Sequence, residues 1–150
     1  MRVGILADTH GLLRPRVLEV LAWCDRLLHA GDVGDPAVLD ALRRIAPVEA
    51  VRGNVDHGPE LDRLPHTVSG TLGEVPFGMV HRREDAPRDW GERLRLIVCG
   101  HSHRPELEWI GRCLLLNPGA CGQRRFHLPL TVALVHVLAD RLVPEILGVE

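Results

Sequence analysis

The sequence predicts an α/β protein, and three observations carry that reading. Apolar β-type runs alternate with helical patterns through the first third of the 150 residues. Nearly every such run ends at a glycine beside an Asp, Asn or His. The second half turns to short β-like runs separated by turn signals. A chain of this length forms one domain and buries a full core without disulfide or metal staples.

Residues 2–7, Arg-Val-Gly-Ile-Leu-Ala, read as a strand that stops at Asp8-Thr9-His10-Gly11. Pro15 opens a helix, since proline is tolerated in a first turn, with Val17, Leu18, Leu21 and Ala22 on one face. A second run, Leu27 to Ala30, ends at Gly31-Asp32. Asp35-Pro36 then gives an N-cap and a proline at N1, for a helix through about residue 45. The third run, Val48 to Val51, ends at Gly53-Asn54-Val55-Asp56-His57-Gly58. Strand-helix-strand-helix-strand is the pattern of a parallel sheet with right-handed crossovers. Ligands of such sheets sit at the carboxyl ends of the strands, where this chain places its polar groups.

The middle is less regular. Val75 to Val80 reads as a strand leading to His81-Arg82-Arg83, and residues 87–93 as a short helix or loop. Leu94 to Cys99 is a buried strand that stops at Gly100-His101-Ser102-His103-Arg104-Pro105. On an extended backbone His101 and His103 point to one side, about 7 Å apart at Cα. Runs at 106–110, 112–116, 131–137 and 141–147 follow, with turns at Gly111, Asn117-Pro118-Gly119 and Asp140. This half is expected to be mainly antiparallel and to face the first sheet.

Composition excludes several functions. A net charge of −2 gives no electrostatic footprint for bulk nucleic acid or an anionic membrane. All 18 basic residues are arginines and there is no tyrosine, which removes Lys Schiff-base and Tyr acid chemistry. Cys24, Cys99, Cys113 and Cys121 lack Cys-x-x-Cys spacing, so a zinc ribbon or a thioredoxin-like centre is not expected. No signal peptide or membrane span is read in the opening residues, and a reducing cytoplasm is the expected compartment.

The strand-end groups, in order, are Asp8, His10, Asp32, Asn54, His81, His101 and His103. Nitrogen and oxygen donors without thiolate suit Mn, Fe, Zn, Ni or Co. Seven are too many for one tetrahedral ion but suit two ions sharing a carboxylate. Two ions about 3.5–4 Å apart stabilise both the attacking and the leaving oxygen of an in-line displacement, which points to phosphate esters.

Asp8-Thr9-His10, Gly31-Asp32, Gly53-Asn54, His81 and Gly100-His101-Ser102-His103 resemble, in order, the calcineurin-like metallophosphoesterases. The length, the Gly-Asn-Val-Asp form and Asn117-Pro118-Gly119-Ala120 are similar to the small bacterial and archaeal phosphodiesterases. The resemblance implies a four-layer α/β/β/α sandwich of two mixed sheets and two divalent ions, manganese foremost. It assigns Asp8, His10 and His103 to the first ion, Asp32 to the bridge, and Asn54, His81 and His101 to the second. Both Asp8-x-His10 and His101-x-His103 are then expected to use same-side i, i+2 geometry.

Two positions depart from the family pattern. Val55 stands where larger members carry a histidine that assists the leaving group, so diesters are expected over monoesters, and His57 is the substitute proton donor to test. Arg82 follows the metal-binding His81 where relatives carry glycine. Arg14, Arg82 and Arg104 are candidate phosphate clamps. Asp8 and Asp32 can alternatively be helix caps, Asn54 a turn residue, and His29 a buried supporting histidine. Asp56 either supports Asn54 or caps a turn. The expected partner is a small phosphate ester, with a homodimer or homotetramer open. The alternatives are a phosphomonoesterase or a non-catalytic scaffold of the same fold, like the retromer small subunit, which has a degraded site. A β-lactamase-like metallohydrolase fits poorly, since Pro105 replaces the Asp of its motif.

Overall fold

The computed structural model describes residues 1–150. Its first sheet holds β1 (Arg2–Leu6), β2 (Arg26–His29) and β3 (Val48–Ala50), all parallel, joined by α1 (Pro15–Leu21) and α2 (Pro36–Arg43). Pro at the first helical position opens both helices, and the Asp35 side chain caps α2 by accepting from the Ala37 N–H at 2.9 Å. Neither Asp8 nor Asp32 caps a helix, so both carboxylates are left for another use.

The second sheet begins with a hairpin, β4 (Thr67–Leu72) and β5 (Val75–Val80). After α3 (Trp90–Arg93) come β6 (Leu96–Val98), β7 (Pro105–Ile110) and β8 (Cys113–Pro118), followed by β9 (Thr131–Leu138) and β10 (Arg141–Gly148). The two sheets run β10-β9-β1-β2-β3 and β4-β5-β6-β8-β7.

The expectation for the second half is corrected in its placement. β9 and β10 do not face the first sheet; they extend it, β9 pairing antiparallel with β1. The second half is mainly antiparallel as expected, β7 pairing antiparallel with β8 and β9 with both β1 and β10. The second sheet as a whole is mixed, β5, β6 and β8 being parallel and the edge strands β4 and β7 opposing them. β4 has no counterpart in the sequence reading. Its Thr-Val-Ser-Gly-Thr-Leu stretch is exposed along most of its length, so it lacks the apolar run that marks the other strands.

Alternating residues of each central strand enter different layers. Val3, Ile5 and Ala7 face the inter-sheet core with Leu96, Val98, Leu114 and Leu116. Leu6 of β1 turns the other way, with Leu27 of β2, onto Val17, Leu21, Val38 and Leu42 of the helices. On the far side of the second sheet Ile97, Cys99 and Leu115 pack under Trp90 and Leu94. The architecture is therefore the four-layer α/β/β/α sandwich, with a fourth layer reduced to α3 and its flanks. The parallel strands β1, β2 and β3 of the first sheet and β5, β6 and β8 of the second point their carboxyl ends to one rim.

Candidate metal centre

Seven sequence-predicted ligands meet on that rim in two groups. Ligand atoms of Asp8, His10 and His103 lie within 4.8 Å of one another, as do those of Asp32, His81 and His101. His103 Nε2 is 3.6 Å and His10 Nε2 4.0 Å from Asp8 Oδ1. Asp32 Oδ2 is 3.3 Å from His81 Nε2 and 3.7 Å from His10 Nε2, so one oxygen faces both groups. Asn54 joins the second group through Oδ1, 3.0 Å from His81 Nε2.

The backbone holds this geometry by a device the sequence reading did not anticipate. Asp8, His10, Asp32, His101 and His103 all have φ between 48° and 71°. The extended i, i+2 arrangement expected for the Asp8/His10 and His101/His103 pairs is thus replaced by left-handed turns, a strained region for residues with a side chain. The β1–β2 ladder carries on through these turns, with Asp8 N–H donating to Gly31 O and His10 N–H to Asp32 O, both at 3.0 Å. Two glycines are required by close approach. A Cβ on Gly31 would stand 2.6 Å from His81 Nδ1, and one on Gly53 would collide with the backbone and carboxylate of Asp32.

Each carboxylate has one oxygen occupied by the backbone and one aimed inward. His101 N–H donates to Asp8 Oδ2 and Val55 N–H to Asp32 Oδ1, each at 3.1 Å. Asp8 Oδ1 and His10 Nε2 are buried without any hydrogen-bond partner. In the second group, His81 Nδ1 donates to the Ala30 carbonyl at 2.7 Å, because a carbonyl only accepts. In the neutral ring Nε2 would be an acceptor facing the oxygens of Asn54 and Asp32, so that contact needs either a proton on Nε2, which donates to Asp32, or a metal ion in its place. A convergence of acceptors is satisfied by a cation, and the residues fit a divalent metal in both places.

Titration follows from the same crowding. Burial pushes Asp8 up to about 7, with the neighbouring Asp32 charge adding to it. Asp32 is pulled down to about 2 despite burial, by the hydrogen bonds of His81 and Val55. His81 is raised against its own burial by Asp32, by the Ala30 carbonyl and by the charge of Asp8. Burial pushes His103 down to about 4, helped by the Arg125 charge, and lowers His101 as well, with His81 and Arg82 adding to it.

Supporting residues surround the ligands. His29 Nδ1 accepts from Gly31 N–H at 3.2 Å, which leaves Nε2–H to donate to Thr9 Oγ1 at 3.0 Å. Thr9 in turn donates to Val33 O. Asp56 is fully buried and accepts from Val33, Gly34 and Gly53 N–H, tying the Asp32 loop to the Asn54 loop. Asn117 Nδ2 donates to Gly100 O at 3.0 Å and Ser102 Oγ at 3.1 Å, bracing the His101–His103 turn. The sequence reading took Asn117 only as part of a turn.

The other candidates divide. Arg82 lines a cavity of about 180 Å³ beside Asn54 and His81. The Arg14 guanidinium Nε donates to Gly122 O at 2.8 Å. Arg104 is exposed, and neither it nor Arg14 lines a cavity. His57 is exposed with Nδ1 3.3 Å from Arg52 Nη2, and it lines none of the three cavities. Arg125 was overlooked; it shares a cavity with His10 and His103. Its only signal in the sequence was the basic pair after a Gly-rich turn.

A mixed-sheet sandwich with paired carboxylate–imidazole groups at its strand ends defines a metallophosphoesterase-type domain. The comparisons agree. Residues 1–140 match the calcineurin-like phosphoesterase superfamily domain, and the chain belongs to that superfamily. It is 30% identical to a probable metallophosphoesterase of Methanocaldococcus jannaschii, over all of this chain and 82% of that one. An archaeal phosphodiesterase structure superposes with a TM-score of 0.80 at 19% identity, covering 98% of this chain and 100% of that one. Vps29 of Entamoeba histolytica, solved with zinc, gives 0.76 at 21% identity, with all of both chains covered.

Proposed function

We propose that this chain is a two-metal phosphoesterase that favours diesters. The observation that supports it most is Asp32 Oδ2, one inward oxygen within 3.7 Å of a histidine from each group. Asp8, His10 and His103 would hold one ion, Asn54, His81 and His101 the other, with Asp32 between. Two divalent ions held there would supply positive charge to offset a phosphate anion and to acidify water for attack. The chain's own part is geometric: left-handed turns, Val55 N–H and His101 N–H fix the two carboxylates before anything binds.

Val55 supports the preference for diesters. Its side chain is 42% exposed beside the site and offers neither a proton to a leaving group nor charge to the second anionic oxygen of a monoester. A diester carries one negative charge and demands less. Arg82 stands at the second group as a cationic contact for substrate. We assign manganese as the working metal, and the four free, buried thiols suit a reducing cytoplasm. No helix is long and apolar enough to cross a membrane.

The test combines elemental analysis with Mn²⁺-dependent hydrolysis of bis-p-nitrophenyl phosphate and p-nitrophenyl phosphate. Two metal equivalents and faster diester turnover are expected. Asn54→Ala should lower metal content towards one equivalent and the diester rate by about 100-fold or more, with an unchanged circular dichroism spectrum. Full activity in that variant would sink the mechanism. A second reading, a partner-binding scaffold, draws on the edge strand β7, where Leu107, Trp109 and Ile110 are exposed. Two bound metals with no hydrolysis of either ester would favour it.

A further inference from the structure

The rim has two ends. Beside the second group lie Arg82 and the cavity at Asn54. Beside the first group is a separate cavity of about 130 Å³, lined by His10, His103, Gln123, Arg124 and Arg125, with no apolar side chain among them. Three of these walls come from the loop between β8 and β9, which the metal-ligand geometry does not use. The loop is placed firmly at its start: Cys121 N–H donates to Ala7 O, and Gly122 O accepts from Arg14. A Cβ on Gly122 would run into the Thr9 backbone, so this stretch lies directly against the ligand turn Asp8-Thr9-His10.

The two arginines of the loop differ. Arg124 is paired with Glu150 and is thereby neutralised. Arg125 is exposed and takes part in no ion pair, while its charge reaches both Asp8 and His103. An uncompensated guanidinium on the wall of a wholly polar cavity, next to a site for phosphate, is a receptor for a second anion. Its planar fork matches phosphate oxygens two at a time. An uncharged apolar substituent gains nothing from these walls.

We propose that Arg125 is a specificity-determining residue and that the substrate is a small phosphodiester carrying a further phosphate on the substituent that lies over His10 and His103. This rests on the phosphoesterase reading above and adds the substrate class. The scissile phosphate sits between the two ligand groups, and the flanking phosphate enters the cavity of Gln123 and Arg125, with Gln123 as a neutral donor.

The test is binding rather than turnover. Dithymidine phosphorothioate, which resists hydrolysis, is compared with its 5′-phosphorylated and 3′-phosphorylated forms by calorimetry on the Mn²⁺-loaded protein. One phosphorylated form is expected to bind at least about 10-fold more tightly than the parent, as for a charge-assisted bidentate contact. Arg125→Gln should cut that preference to under about 3-fold, and Arg125→Lys should keep part of it, since charge survives without the fork. Arg112→Gln, in the β7–β8 turn at the opposite end of β8 from the site, serves as the control and should keep the preference. No preference in the wild type, or a preference that survives Arg125→Gln, overturns the inference. If bis-p-nitrophenyl phosphate is still hydrolysed in that case, the phosphoesterase reading stands alone. If none of the three ligands binds and no ester is hydrolysed, both fall.

Discussion

His29 shows how one buried side chain sets the behaviour of its neighbours. Burial drives it down to about 4, so it is neutral in the folded protein and keeps the tautomer that Gly31 and Thr9 require. Its folded pKa lies below the unfolded value of 6.5. The unfolded chain therefore binds the proton first as pH falls, and stability drops between about 6.5 and 4 while being fully present above that window. Thermal unfolding followed across this range should show the loss, and His29→Gln should flatten it; an equally steep curve in the variant would refute the assignment. His57 invites the opposite outcome. It is held against Arg52 and lines no cavity wall, so His57→Ala is expected to keep the diester rate from pH 6 to 9 within about 2-fold. A loss of about 10-fold or more would restore it as the proton donor.

Elements differ in how legibly the sequence announces them. The first five follow from apolar runs and two Asp/Arg-Pro helix starts, because each must bury one face against a neighbour. β4 was missed since it lies at a sheet edge and its polar side chains face water. The placement of β9 and β10 was missed for another reason: an apolar strand satisfies either sheet equally well until the closing contacts choose. β9 took the free edge of β1, where Ala133 and Val135 complete the inter-sheet core. α3 presents the opposite case, a four-residue helix bearing much of a layer. Trp90 is 5% exposed, and a Cβ on Gly78 would come within 2.7 Å of its Cζ3. Trp90→Ala should cost about 3–5 kcal/mol in urea unfolding, and a cost below about 1 kcal/mol would show that the outer layer collapses to fill the gap.

For the whole molecule, a bound metal would be linked to the fold. The candidate site brings together two carboxylates and four imidazoles, with Asp8 Oδ1 and His10 Nε2 buried and without a hydrogen-bond partner in the protein, a convergence that a bound cation would relieve. A metal that binds the native form alone adds about 2.7 kcal/mol at 100 times its Kd. For a domain of this size that is roughly 5–10 °C in Tm, so chelation should lower the melting point by that amount and Mn²⁺ should restore it. An unchanged melting point would mean that the groups do not take a metal in the folded state. The exchange also runs through the loops: Asp56 and Asn117 join turns far apart in sequence, so loosening one ligand loop loosens its neighbour.

The sequence by itself determined the identity and order of the candidate ligands that meet at the rim, because chemistry that needs carboxylates and imidazoles at strand ends leaves a glycine-punctuated pattern in one dimension. It also determined the alternation of faces that builds the core, since side-chain periodicity is local. Only the tertiary structure decided that Asp8, His10, Asp32, His101 and His103 stand on left-handed turns, as backbone strain at these positions is sustained by ladder bonds between distant segments. The tertiary structure likewise placed Arg125, and not Arg14 or Arg104, in a cavity with His10 and His103. All three are equivalent arginines in the sequence; Arg14 is drawn to Gly122 O, Arg104 is left to solvent, and the packing of the β8–β9 loop against Thr9 brings Arg125 to the rim.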